Sequence, residues 1–329
     1  MGKLRIITCL MLVLTVGVPL PLPAKSKKDN VNDIGHRKVA GWSLISRQKE
    51  LAIGTQYAKQ LEHSSKMIKD PVVNEYVNRV EQNLAVNSDA KFPISVRVID
   101  NPTVNAATLP GGFIFLNSGT ILTASNQAEL AAVLAHETGH VAERSWASME
   151  TKQELLSFAE LPLMFTPMGI GAFYGIQGGL NGLPIVFMKF NRNQEEGADF
   201  LGVQYLWKAG YDPNAMVAMF GKILEMERQS PGSISRLFMD HPPTPDRIIK
   251  CEEEIKSLPK RRQYLLNTSG FVAIQRRLRS ELTVHLHKHN PSGPTLERRH
   301  APVNLPASTG TSGAGKNSGN QPPVLHRTD

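Results

Sequence analysis

Two histidines four residues apart, His136 and His140, flank a glutamate in the run Ala135-His136-Glu137-Thr138-Gly139-His140. On a helix, residues i and i+4 share a face, so both imidazoles turn toward one point and can hold one metal ion. Glu137 then stands beside that point, within reach of a water bound there. This is the chemistry of a zinc hydrolase. The pattern is also short enough to arise by chance on a surface helix, and its surroundings weigh against that. Between Leu130 and Ala142 the only charged residue is Glu137, and Leu130, Val133, Leu134 and Val141 keep the helical period. Two histidines on so apolar a helix are costly to bury without a partner, and zinc is the natural one. Asn126, with Glu129 three residues on, marks the start of the helix, a capping box with Asn in place of Ser or Thr.

A catalytic zinc takes three protein ligands and leaves one position for water, so a third ligand must come from another element. The segment Asn191-Arg192-Asn193-Gln194-Glu195-Glu196-Gly197-Ala198-Asp199 offers Glu195 and Asp199 on one helical face. Glu195 is placed to ligate. Asp199 is placed to accept the N–H of a ligating histidine and fix its tautomer. Glu196 reads as a solvated acidic residue favouring the helix start.

These motifs resemble the gluzincin metallopeptidases of the HtpX and type 1 CAAX prenyl protease family, and within it the exported BepA/LoiP-like branch. The resemblance rests on HExxH followed by Arg192-x-x-Glu195-x-x-Ala198-Asp199, then Leu201 to Leu206, Ala209 to Pro213 and the His-Pro box His241-Pro242-Pro243-Thr244-Pro245-Asp246-Arg247-Ile248. Asn105-Ala106 and Pro110 to Ile114 resemble the strand that precedes the catalytic helix. It covers residues 43–268. It implies that His136, His140 and Glu195 bind one Zn2+, that Glu137 is the general base, and that Asp199 stands behind the ligands. His241 is implied either as a fourth ligand that closes the site or as a stabiliser of the tetrahedral intermediate. Its plain alternative is a turn residue before a Pro-rich bend. Arg192 and Arg247 either orient carboxylates near the site or are ordinary surface arginines. The implied fold is α+β and mainly helical, a zincin-type domain with a small β-sheet beside the HExxH helix.

The elements that must position these residues are legible in outline. Helical patterns run over about Arg47–Ile68, from Asp70-Pro71 to about Val86, from Glu195 to about Lys208 before Gly210, from Pro213-Asn214 to Arg228, and over Asp246–Ser257. Ile94–Val98 and Phe113–Leu116 read as strands. In the resembled family the second of these lies along the cleft and pairs with extended substrate; a plain core strand is the other reading. Leu161 to Met188 contains no charged residue but is broken by glycines and by Pro162, Pro167 and Pro184. A hydrophobic hairpin or lid touching membrane or unfolded substrate, and plain core packing, fit it equally.

Lys3 and Arg5 precede an apolar stretch from Ile6 to Val18, and Pro21-Leu22-Pro23-Ala24 follows. This pattern predicts a signal peptide over residues 1–24 and an exported, periplasmic protein. With Cys9 in the leader, Cys251 is the one cysteine left of two, so no internal disulfide is expected. Residues 25–42 read as a flexible lead-in, 43–268 as the metallopeptidase domain and 269–329 as a basic, largely disordered tail. His285, His287 and His289 alternate there, either a weak second metal site or a solvated run.

The net charge of +8 does not point to nucleic acid. From Lys250 to Asp329 there are 13 Lys/Arg against 6 Asp/Glu, so the excess sits at the end of the chain and the catalytic region is near neutral. Basic residues interleaved with aromatics, as nucleic-acid binders carry them, do not occur. The expected function is zinc-dependent endopeptidase cleavage of misfolded envelope proteins. Polypeptide substrates and outer-membrane assembly proteins are the expected partners, with membrane-surface contact through 161–188 or the tail. The alternative is a chaperone-like binder with a closed, non-proteolytic zinc site.

Overall fold

The computed structural model describes residues 30–164, 190–229, 241 and 243–289. Its helices begin where the sequence supplies caps. Ser46 accepts from Lys49 N at the head of α1 (Arg47–Ser64). Asp70 accepts from Val72 N and Val73 N at the head of α2 (Pro71–Val86). Pro71 there occupies the first turn, where its missing N–H costs nothing. Three strands follow: β1 (Ser95–Ile99), β2 (Ala106–Leu109) and β3 (Phe113–Asn117). Then come α3 (Ser118–Thr123), α4 (Gln127–Glu143), α5 (Ser145–Met164), α6 (Arg192–Ala209), α7 (Asn214–Gln229), α8 (Pro245–Ser257) and α9 (Ser269–His289). The class is α+β and mainly helical, with the small sheet packed against the HExxH helix, α4.

Every residue of α4 is buried. A helix enclosed on all sides needs apolar or fully partnered side chains all round, and α4 packs on α2, α6, α7 and β2. Its approach to α6 is governed by small residues. A Cβ at Gly139 would lie 2.6 Å from the carbonyl oxygen of Ala198, and one at Gly202 would lie 3.2 Å from that of Ala135. The two backbones are therefore in direct contact, with His136 and His140 on one and Glu195 and Asp199 on the other. Asn126 accepts from Glu129 N at 2.9 Å, as expected for the start of α4, but Glu129 Oε2 takes Ser125 N at 2.7 Å rather than closing a box on Asn126. A reciprocal box forms instead at the head of α6, between Asn191 and Gln194.

Four expectations change. α1 stops at Ser64, not near Ile68, because Met67 pairs with Ile99 and Ile68 N donates to Val98 O, drawing the chain to the sheet. Strand order is β1-β3-β2, with β3 parallel to β1 and antiparallel to β2. Both edges of Phe113–Leu116 are thus paired, so this strand has no side open to an extended substrate; β2, which the sequence patterns do not mark as a strand, lies at the edge of the sheet among the described residues. The lead-in is packed from Asn30 onward: Val31, Ile34 and Val39 belong to the main core and Arg37 is buried against Asp89. The tail begins as helix α9, whose Phe271, Ile274 and Leu278 are buried in that same core. The spacing i, i+3, i+7 is present in the sequence, interleaved with the basic Arg276, Arg277 and Arg279.

The expected leader, most of the uncharged stretch 161–188 and the chain beyond 289 lie outside the described residues. Among the described residues no helix is long and apolar enough to cross a membrane.

Candidate metal centre

His136, His140, Glu195 and His241 each present one donor atom, and these atoms all lie within 4.8 Å of one another. The first two come from α4, the third from the first turn of α6, the fourth from the residue ahead of the Pro-rich entry to α8. None of the four is more than 7% exposed. His136 Nε2 is 3.2 Å from His140 Nε2 and 3.6 Å from Glu195 Oε2, and His140 Nε2 is 3.4 Å from Glu195 Oε1. Tetrahedral ligands at zinc distances of about 2.0–2.1 Å stand about 3.3–3.4 Å apart. The two imidazole nitrogens stand close to that edge, and each has one of the two Glu195 oxygens at a similar distance. Glu195 Oε2 is also buried with no hydrogen-bond donor directed at it, although Arg247 Nη1 lies 2.9 Å away as an ion-pair contact. Paired imidazole nitrogens beside a buried, ionised carboxylate are a donor set that a divalent cation fits.

The far sides of the rings are fixed. His136 Nδ1 lies 2.8 Å from Asp199 Oδ1, and His140 Nδ1 lies 3.1 Å from Ser145 Oγ. Burial pushes the Asp199 carboxyl up, but Arg247 and His136 outweigh it and hold the group below its usual range. An ionised Asp199 only accepts, so His136 Nδ1 carries the proton and its Nε2 lone pair faces the cluster. Arg247 donates to both oxygens of Asp199, from Nε at 2.6 Å and Nη2 at 2.8 Å, and from Nη1 to the backbone oxygen of His241 at 3.0 Å. Burial pushes His140 down to about 4, which keeps its ring neutral, the form a ligand needs. Glu195 is pushed up by burial but held well below its ordinary range by His241 and His140.

Glu137 lies alongside on α4, and Thr108 of β2 donates to its Oε2 at 2.7 Å. Beneath it Glu81 of α2 is wholly buried. Thr138 Oγ1 is 2.8 Å from both Leu134 O and Glu81 Oε1. A protonated Glu81 would leave the Thr138 hydroxyl proton to Leu134 O and supply its own for the second contact. Burial raises the Glu81 carboxyl well above its usual range against the Thr138 bond, and the Glu137 charge adds to the rise.

The expected residues separate into two groups. His136, Glu137, His140, Glu195, Asp199, His241 and Arg247 come together. Arg192 does not: its side chain is 67% exposed and pairs with Glu196 and Asp246, joining the heads of α6 and α8 at the surface. Thr108, Ser145, Glu81 and Phe190 were not foreseen. Phe190 stacks on His140 at a ring separation of 4.3 Å. None carries a motif. Only the position of Phe190 immediately ahead of the α6 motif offered a signal.

The model for peptidase family M48 matches residues 71–255, from the head of α2 to the last turn of α8. The chain belongs to peptidase family M48. Membership places it among the zinc metallopeptidases, in keeping with the donor set above. A putative beta-barrel assembly-enhancing protease of Vibrio cholerae serotype O1 is 33% identical over 242 residues, covering 69% of this chain and 48% of that protein. The beta-barrel assembly-enhancing protease of Escherichia coli K12 is 29% identical over 238 residues, 69% of this chain and 47% of that one. A mitochondrial metalloendopeptidase, OMA1, of Schizosaccharomyces pombe is 30% identical over 192 residues, 57% of this chain and 55% of its own. The M48 chain thus spans about half the length of the curated relatives it matches.

Proposed function

We propose that this M48 chain is a zinc-dependent endopeptidase that acts after export, in the periplasm, on misfolded envelope proteins. The observation that carries the reading is the convergence of His136 Nε2, His140 Nε2 and the Glu195 carboxylate within metal-ligand reach of one another, beside the Glu137 carboxylate. The leader pattern supports export, and relatives named for β-barrel assembly support an envelope setting.

His136, His140 and Glu195 hold the metal in this reading. When bound, zinc supplies Lewis acidity to the scissile carbonyl and makes an attacking water acidic near neutral pH. Glu137 takes the proton of that water and passes it to the departing amine, its carboxylate aimed by Thr108. Asp199 keeps the His136 proton on Nδ1, and Arg247 keeps Asp199 ionised. β2 is an edge strand of the sheet among the described residues, and in this reading it pairs with extended substrate, which gives affinity with little sequence preference. Glu137→Gln should retain zinc and lose cleavage of an unfolded protein such as casein. Cleavage at the wild-type rate by that variant would remove the general-base assignment.

One observation favours a second reading. His241 Nδ1 lies 2.6 Å from Glu195 Oε1, and Glu195 raises the His241 pKa against the lowering effect of burial. A fourth donor so placed closes the centre, as a latch on a protease or as a permanent feature of a chaperone-like binder. His241→Ala separates them: activity gained on removing the ring identifies a latched protease. Inactivity of both proteins, with aggregation of a client still suppressed, identifies the binder.

A further inference from the structure

The chain ahead of α1 runs as an extended strap whose side chains alternate. Its inward residues are each anchored. Arg37 donates to Asp89 Oδ2 from Nε at 2.9 Å and Nη2 at 2.6 Å. Val39 enters the main core. Gly41 N donates to Glu143 O at 2.8 Å, and Ser43 Oγ donates to Ala147 O at 2.9 Å. Ile45 packs with Trp146, Ala147 and Phe190. The residues between them, Lys38, Ala40, Trp42 and Leu44, all face outward. Trp42 is 61% exposed and Leu44 63%, whereas Trp146 and Trp207 are each 7% exposed. Leu44 N donates to Thr151 Oγ1 at 3.1 Å, which sets this residue over α5, where Leu155, one turn further on, is 43% exposed.

These apolar groups project from a pinned backbone, so little freedom is lost when something covers them. Lys38 of the strap, Arg47 and Lys49 at the head of α1 and Lys152 of α5 are exposed, against the partly exposed Glu150 and Glu154 of α5. At the α5 end of this face the sequence continues into an uncharged apolar stretch, Leu161–Met188, which begins in the last turn of α5. Tryptophan and leucine among lysines and arginines, beside such a stretch, match the apolar–anionic boundary of a bilayer. We propose that the outer face of the strap, Trp42 and Leu44 with Leu155 of α5, is a lipid-contact surface that seats the domain on an anionic membrane.

The test uses the full chain with phosphatidylglycerol-containing vesicles and with phosphatidylcholine vesicles. Trp42 is the exposed tryptophan, so its burial shifts the protein's emission to the blue. The expected result is a blue shift and co-sedimentation with the anionic vesicles, weakened by salt and weaker on phosphatidylcholine. The double variant Trp42→Ser/Leu44→Ser should partition at least about tenfold less, with unchanged thermal unfolding and unchanged cleavage of soluble casein. Equal partitioning of variant and wild type overturns the proposal. So does a variant that binds vesicles normally but loses casein cleavage, which would make the face a polypeptide contact. Should the double variant not fold, brominated lipid decides on the wild type: quenched Trp42 emission supports the proposal, and unquenched emission overturns it.

Discussion

Gly139, one of the two unspecified positions of HExxH, is a point where a single added atom would press on the metal centre through backbone. In Gly139→Ala the new Cβ would lie 2.6 Å from Ala198 O and 2.8 Å from Ala198 Cα. Both are backbone atoms of α6 and cannot rotate away. Ordinary contact begins near 3.4 Å, so the helices must separate by up to 0.8 Å at this crossing. Three residues before Ala198, Glu195 rides on α6, whereas His136 and His140 ride on α4. The displacement therefore passes into the His–Glu separations, while metal sites tolerate deviations of about 0.2 Å. The expected loss in zinc affinity is about 10–100-fold, comparable to losing a supporting hydrogen bond, with an overpacking cost of about 1–3 kcal/mol. Competition against a fluorescent zinc chelator measures the first, and urea denaturation of chelator-treated protein the second. A variant with wild-type zinc affinity and wild-type stability would show that the α4–α6 contact does not set the ligand geometry.

Two further perturbations bear on the carboxyl groups beside the centre. Thr108→Val keeps the shape of the side chain and removes the hydrogen bond to Glu137 Oε2; a net bond of about 1–1.5 kcal/mol makes the expected fall in kcat about tenfold, with zinc content unchanged, and an unaltered kcat would deny Thr108 any part in aiming Glu137. Glu81→Gln tests the buried acid through pH. The folded chain holds the Glu81 proton while the unfolded chain releases it near 4.5, so the wild type has its full stability below that value. It loses about 1.4 kcal/mol per pH unit above it until Glu81 ionises in the folded state. Glutamine removes this loss and still donates to Thr138. The variant should become progressively more stable than wild type as pH rises from about 4.5, and parallel melting curves for the two proteins would mean that Glu81 is ionised.

What the sequence discloses depends on whether a residue's role is local. The histidine pair, the caps at Asp70 and Asn126 and the Glu195/Asp199 pair are legible because helical periodicity alone places them. Arg192 and Arg247 show the limit. Both stand beside motif residues, yet Arg192 turns to Glu196 and Asp246 at the surface, while Arg247 reaches across from α8 to Asp199. No property of either residue's own segment distinguishes them; only the packing of α8 on α6 does. β2 was missed for the opposite reason. Its four residues Ala106–Leu109 carry no alternation of their own, and they become a strand because β3 offers them a partner. The strap at 37–45 is the sharpest case. The lead-in 25–42 is polar and basic on average, the signature of a free segment, but from Arg37 to Ile45 every second residue is anchored, on Asp89, in the main core, or on α4 and α5. The polar average is set by residues 25–38, and the order of the segment is written in the alternate residues that follow. An alternation of that kind is a signal that a window average over residues 25–42 removes.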